Sequence, residues 1–198
     1  MTWFVLIAIV VGVVFGKWVM PAGWEAHLDV ITSAALCIML FGVGIDIGSQ
    51  REAWSRLWKM GLKVFLVPLM VCIGSLGGAA LAGIALGMPF NESAAIGAGF
   101  GWYSLSGVLL AKIYSVEIGA LAFLTNVSRE LMAFLLIPLL AARVGKMAAV
   151  APGGATTMDT TLPLIARVTD PDTAVIALVN GTVLSSLVPL LVPLFINI

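Results

Sequence analysis

Apolar residues gather in long runs along this chain, broken at a few places by glycine, proline and charge. A helix needs ~20 consecutive apolar residues to cross a bilayer. Five runs meet that length: Trp3 to Met20, then about Leu28 to Gly48, Gly61 to Gly87, Ile118 to Ala142 and Thr173 to Ile196. The first has no basic lead and no small-residue cleavage site, so it reads as a retained helix. The third is rich in glycine and alanine, as close-packed membrane helices are. Connections are short, so residues 1–198 read as one membrane domain: a three-span unit over 1–88, then two further units over 89–143 and 144–198.

Two more apolar stretches do not read as simple spans. One runs from about Glu92 to Lys112 and holds Gly97, Gly99, Gly101, Ser104, Ser106 and Gly107. The other runs from about Met147 to Arg167 and holds Pro152, Gly153 and Gly154, then Thr156, Thr157, Asp159, Thr160, Thr161 and Pro163. Glycine and proline break helices. Irregular backbone survives at membrane depth only where protein or a watery cavity satisfies it. Both stretches are therefore expected to be re-entrant hairpins or broken helices.

The two stretches also align. Residues 98–106, Ala-Gly-Phe-Gly-Trp-Tyr-Ser-Leu-Ser, lie over residues 151–159, Ala-Pro-Gly-Gly-Ala-Thr-Thr-Met-Asp. Each stretch ends in a basic residue, Lys112 or Arg167, and a short acidic connection follows, with Glu117 or with Asp170 and Asp172. A full span comes next, with an asparagine near its first third (Asn126, Asn180) and a late proline (Pro138, Pro193). The pattern is that of an internal repeat.

Charge sets the orientation. Arg51, Arg56, Lys59 and Lys63 follow the second span, so that loop is expected in the cytoplasm and the N-terminus with it. If both interrupted stretches are re-entrant, seven basic residues lie inside and only Lys17 and Lys112 outside. If both cross, Arg143 and Lys146 move outside and the bias weakens. A hairpin plus one span is an odd unit, so its second copy is inverted and the two tips meet near the midplane, as in many secondary transporters. The expected fold class is an all-α integral membrane protein: about five transmembrane helices plus two re-entrant or broken-helix hairpins forming an inverted repeat, with the C-terminus outside.

Composition narrows the function. The chain has 198 residues, 61% hydrophobic and only 10% charged, so it is no soluble domain. Ten basic residues balance ten acidic ones, which argues against a nucleic-acid surface. His27 is the single histidine, and Cys37 and Cys72 sit inside apolar runs, so neither a metal cluster nor a disulfide scaffold is expected. Ser104-Leu105-Ser106-Gly107 lacks the glycine two places before Ser106 that an intramembrane serine protease would carry, and Gly44-Ile45-Asp46 is not the Gly-x-Gly-Asp of an aspartyl one. The chain reads as no enzyme, with no cofactor.

Intramembrane charge points to transport. Glu130 lies at the centre of the fourth span, ~18 Å from either end at 1.5 Å rise per residue, with Arg129 beside it. A charge at that depth costs at least ~2.5–3.5 kcal/mol on the insertion scale and usually marks a pathway. Asn126 shares the face of Glu130. These side chains read as a substrate or proton site, or as an ion pair holding helices together. Asp159, near the tip of the second stretch, is a further candidate, or else a cap on backbone amides. Asp46 faces a cytoplasmic vestibule or sits at the interface. Tyr103, Ser104, Ser106, Thr156, Thr157 and Asn180 are candidate ligands for a polar solute, the hydroxyls equally candidates for helix packing.

Three motifs carry a resemblance: Gly99-Phe100-Gly101-Trp102-Tyr103-Ser104-Leu105-Ser106-Gly107, Arg129-Glu130-Leu131, and Gly154-Ala155-Thr156-Thr157-Met158-Asp159-Thr160-Thr161-Leu162-Pro163. Together they resemble the LysO family of lysine exporters. The match covers essentially this whole chain and about the last two-thirds of a typical member, which carries a further three-span unit at its N-terminus. Leu40-Phe41-Gly42-Val43-Gly44-Ile45-Asp46 is similar to a motif of that unit. The resemblance implies export of L-lysine, and of toxic analogues such as thialysine, across the bacterial inner membrane. It also implies use of the proton gradient and an acidic intramembrane residue at Glu130. The missing unit implies a homo-oligomer or a short three-span membrane partner. Export of another small amino acid or cation, and a non-transporting subunit of a larger membrane complex, stand as alternatives.

Overall fold

In the computed structural model the described residues are 61–198 together with Ile7, Val11, Gly12, 14–18, Val30, Ile31, Ala34, Ala35, Cys37, Ile38, Phe41 and Ile45, these last all helical. They belong to two compact units, Met1–Ser49 and Gln50–Ile198. Asp46 lies outside the described residues. The described residues are helical or irregular throughout, and three helices are long and apolar enough to cross a membrane. The protein is an all-α membrane protein.

In the second unit a 3-10 turn, Leu62–Phe65, leads into α1, Leu66–Leu86. Pro68 is tolerated because it falls in the first turn. Gly87 ends α1 in the left-handed conformation at φ +70°. The Met88 amide then reaches the Gly83 carbonyl at 2.8 Å, and Pro89 follows, as expected past a helix end. The helix α2, Phe90–Gly97, runs back beside α1, so close that a Cβ on Gly97 would lie 2.5 Å from the Ala79 methyl.

The first glycine-rich stretch breaks at residues 98–102. Phe100 and Gly101 both take positive φ there, +48° and +96°. The helix α3, Tyr103–Ile113, follows the break. A two-residue turn then opens α4, Val116–Arg143, where the Ser115 hydroxyl accepts the Ile118 amide at 3.2 Å as an N-cap. The helices α3 and α4 form a tight antiparallel pair, because Gly107 and Gly119 leave room for Phe123 and Ala111.

The second stretch is more irregular. It holds two 3-10 turns, Ala148–Val150 and Gly154–Met158, and the short helix α5, Leu162–Val168. Asp170 then caps α6, Pro171–Ile196, by accepting the Thr173 amide at 2.8 Å. The expected spans at 61–87, 118–142 and 173–196 thus correspond to α1, α4 and α6, each shifted by only a few residues at its ends.

Contacts fix the directions of these helices. Val67, at the start of α1, packs against a cluster that holds Ala133 and Ile137 from the second half of α4 and Ala177 near the start of α6. At the opposite end, Phe90 meets Phe195 edge-on at 6.5 Å between ring centroids, and the Asn91 amide nitrogen reaches the Ile196 carbonyl. So α1 and α6 run one way and α4 the other. Each interrupted stretch begins and ends at one level. Tyr114 donates to Glu92 across the mouth of the first at 2.8 Å, and Lys146 pairs with Asp170 across the mouth of the second at 2.9 Å.

Candidate functional site

The two interruptions meet halfway along the long helices. The Ala155 amide donates to the Phe100 carbonyl at 2.8 Å, joining one bend to the other. Gly154, at φ +58°, sits where a side chain would run into the Phe100 carbonyl and the Arg129 guanidinium. Gly101, on the other bend, faces the Gly153 carbonyl. Both positions hold a positive φ that disfavours a Cβ, and at Gly154 the neighbouring backbone also passes too closely for one.

Each bend is tied to the long helix that follows it by an asparagine. The Asn126 carbonyl oxygen accepts the Gly101 amide at 2.7 Å. Its nitrogen donates to the Ile96 carbonyl at 3.2 Å, to the Ser106 hydroxyl at 3.4 Å and to the Ala122 carbonyl at 2.9 Å. Asn180, fully buried on α6, donates to the Gly154 carbonyl and to the Thr157 hydroxyl, both at 3.0 Å. Its own oxygen is buried without a donor. These bonds satisfy backbone groups that the broken helices leave open, which a membrane-embedded fold has to do internally.

Glu130 lies one turn beyond Asn126 and is 1% exposed, the one charged side chain in the buried class among the described residues. Arg129 points elsewhere, into the seam between α1, α4 and the second bend. Its Nε donates to the Pro152 carbonyl at 3.1 Å, Nη2 to the Ala151 carbonyl at 3.3 Å and Nη1 to the Ser75 hydroxyl at 2.8 Å. The Ser75 hydroxyl in turn donates to the Gly97 carbonyl at 3.0 Å. Arg129 borders two cavities. One of about 390 Å³ is lined by Val71, Ser75, Leu136, Ala151 and Pro152, the other of about 270 Å³ by Ser75, Gly78, Gly97, Thr125 and Asn126.

The remaining candidates divide between these surroundings. Tyr103 is buried and stacks edge-on against Phe123 at 5.4 Å, while Ser104 is half-buried beside it on α3. Ser106 donates to the Trp102 carbonyl. Thr156 and Thr157 turn back to the carbonyls of Gly153 and Gly154. Asp159 is exposed and accepts both the amide and the hydroxyl of Thr160. With Trp102, Thr156, Met158 and Ser185 it borders a third, water-sized cavity of about 20 Å³. The Ser185 hydroxyl is buried without a partner.

The structure therefore gathers Asn126, Arg129, Ser106, Thr156, Thr157 and Asn180 around two touching bends. Ser75 and the carbonyls of Ala151 and Pro152 belong to this site without being among the residues that the sequence singles out. The signal was present for Ser75, a hydroxyl within the Gly74-Ser75-Leu76-Gly77-Gly78 opening of an otherwise apolar span. Backbone carbonyls leave no trace in side-chain identity.

At the exposed mouths of the two stretches the charges act locally. The Lys146 ammonium, helped by the Thr173 amide, holds the Asp170 carboxyl down at about 2. The hydrogen bond to Glu92 pushes the Tyr114 hydroxyl up from its ordinary value.

Comparison with known proteins agrees with this picture. The family described as lysine exporter LysO matches residues 6–196. "Lysine exporter LysO" of Escherichia coli K12 is 36% identical over 169 residues, which are 85% of this chain and 56% of that protein. The chain thus spans little more than half the length of that relative. "Putative lysine exporter" of Haemophilus influenzae is 32% identical over 192 residues, 96% of this chain and 95% of that protein. No solved structure matches. With the family matched over nearly every residue, and the bends and their polar ties falling within the match, the chain belongs to the LysO family of lysine exporters.

Proposed function

We propose that the chain is a secondary active exporter of L-lysine, and of analogues such as thialysine, driven by the proton gradient across the bacterial inner membrane. The observation that carries this reading is Glu130, a carboxylate buried at mid-span on the helix whose Asn126 and Arg129 hold the two bends. Desolvating an ionisable group there is expensive, and a packing role alone would not need one. The names of the relatives supply the solute.

In this reading Glu130 takes the side-chain ammonium of lysine, since a carboxylate is a strong partner for it away from water. Arg129 and amides of the bends take the substrate carboxylate, and Asp159 holds the α-ammonium or the coupling proton. A proton arriving from outside neutralises Glu130 and releases the solute there. The interrupted stretches act as two re-entrant hairpins of an inverted repeat, entering from opposite faces. The closed mouths at Glu92–Tyr114 and Lys146–Asp170 support that assignment. So does basic charge: Arg143, Lys146 and Arg167 belong to the end we assign to the cytoplasm and Lys112 to the other. The N-terminus is then cytoplasmic and the C-terminus outside. The chain works beside a second copy of itself or a short three-span membrane partner.

The test uses the 198-residue chain in inside-out vesicles with an acid interior. Labelled lysine is expected to accumulate, and a protonophore to stop it. Uptake by Glu130→Gln equal to that of the parent chain would overturn the reading.

A further inference from the structure

Arg129 rests on two carbonyls in the way an arginine rests on a carboxylate. Nε–H and Nη2–H form the side edge of the guanidinium fork, which recognises the two oxygens of a carboxylate together. Here that edge holds the successive carbonyls of Ala151 and Pro152 at 3.3 and 3.1 Å. Nη1 holds Ser75, so three of the five N–H groups are engaged, and among the described residues none of them by an anion. A cation at this depth, held only by neutral oxygens beside cavities of about 390 and 270 Å³, is poised for an anion. Charge-assisted hydrogen bonds are roughly twice as strong as neutral ones.

The same bonds hold the fold closed. Ala151 and Pro152 lead directly into Gly153 and Gly154, where the second bend touches the first through Ala155 and Phe100. Through Ser75 the guanidinium also reaches the Gly97 carbonyl at the end of α2. One side chain thus links the bends of both repeats.

We infer that Arg129 is a carboxylate-operated latch: the substrate carboxylate replaces the Ala151 and Pro152 carbonyls on the fork and so releases the second bend from α1 and α4. This rests on the transporter reading above and adds a rule to it, that the solute must carry a carboxylate. Lysine fits the latch. Cadaverine, which is lysine without its carboxylate, satisfies Glu130 and leaves the latch shut.

The experiment reconstitutes the full chain, with Cys37 and Cys72 replaced by serine and Ala155→Cys added as a reporter, at a position 2% exposed while the bends touch. N-ethylmaleimide labelling of position 155 is followed with lysine, with cadaverine and with neither. Transport of both solutes is measured on the chain without the reporter. Lysine is expected to speed labelling severalfold and cadaverine to leave it unchanged, with cadaverine carried at least tenfold more slowly. Arg129→Lys keeps the charge and loses the fork, so it is expected to lower lysine transport and to erase the labelling response. Ser75→Ala, which leaves the fork intact, is expected to keep the preference for lysine over cadaverine. Equal transport of the two solutes, or a labelling response to cadaverine as large as to lysine, overturns the latch. If lysine is inert but another amino acid is carried, the lysine reading falls. The latch is then judged by that amino acid against its own decarboxylated amine.

Discussion

The two interrupted stretches, each with the long helix that follows it, solve the same structural problem and then part company. In each, a capped helix follows a broken stretch, Ser115 capping α4 and Asp170 capping α6. In each, an asparagine about ten residues on ties the bend to that helix. Beyond the asparagine α4 continues with Arg129 and Glu130 and α6 with Val183 and Leu184. The asparagine tie is thus duplicated and the charge that follows it is not. Arg129 and Glu130 both stand on α4, while the second stretch supplies the Ala151 and Pro152 carbonyls that Arg129 holds and, at its exposed side, Asp159.

The largest effects should follow that asymmetry. Glu130→Gln is nearly isosteric and removes only the charge and its proton. Lysine export is expected to fall at least ~tenfold, since a hydrogen bond to a charged group contributes ~1.5–3 kcal/mol, while the near-isosteric amide keeps the packing and the folded yield. Placing the carboxylate on α6 in that variant, by Leu184→Glu, should not restore transport, since Val183 stands there in place of Arg129. Restored export would mean that α4 and α6 are interchangeable in this respect.

The bends come next. Gly154 and Gly101 both hold positive φ, so alanine strains either by roughly 1–2 kcal/mol. Only at Gly154 would the new methyl also overlap the Phe100 carbonyl, whereas at Gly101 the nearest atom lies 3.4 Å away. Gly154→Ala is therefore expected to lower the yield of folded protein and its melting temperature more than Gly101→Ala. Equal losses would show that backbone strain alone matters and that the contact between bends contributes little.

The asparagines give a smaller, graded difference. Asn126 satisfies four partners and Asn180 two, with the Asn180 oxygen still lacking a donor. Each buried polar group left open costs ~1–3 kcal/mol. Asn126→Ala should destabilise more than Asn180→Ala in thermal melts of the purified protein. Asn180→Asp adds a buried charge without adding a donor for it, so it should be worse than Asn180→Ala; a milder effect would place an unseen donor at that oxygen.

How much of this was legible depends on where the information resides. The spans were plain because length and apolarity decide them, and Glu130 was plain because a charge in an apolar run is costly wherever it points. The breaks were legible at Gly99, Gly101, Pro152 and Gly154, residues whose backbone preferences act locally. The pairing of Arg129 with Ala151, Pro152 and Ser75 was not, because it joins residues up to 54 positions apart and two of the partners are carbonyls. Nor was the role of Ser106, Thr156 and Thr157. A hydroxyl near a glycine is equally suited to a solute and to the neighbouring carbonyl, and only the folded chain assigns it to the carbonyl.

The smallest contrast is at the mouths. Glu92–Tyr114 closes the first stretch with a neutral donor, and Lys146–Asp170 closes the second with an ion pair 58% and 36% exposed. Exposed pairs contribute little, since water screens them. The sign of the second can still be stated. Asp170 is held below its ordinary 3.8, to about 2, so its contribution is complete above the ordinary value and is lost as pH falls through about 2. Melts between pH 8 and pH 5 should therefore show no change traceable to this pair, and Lys146→Met should shift them less than either asparagine substitution. Salt should weaken the second mouth and spare the first. If Lys146→Met instead impaired transport strongly while the melt held, the ion pair would belong to the transport cycle, and the asymmetry between the two stretches would extend from their bends to their mouths.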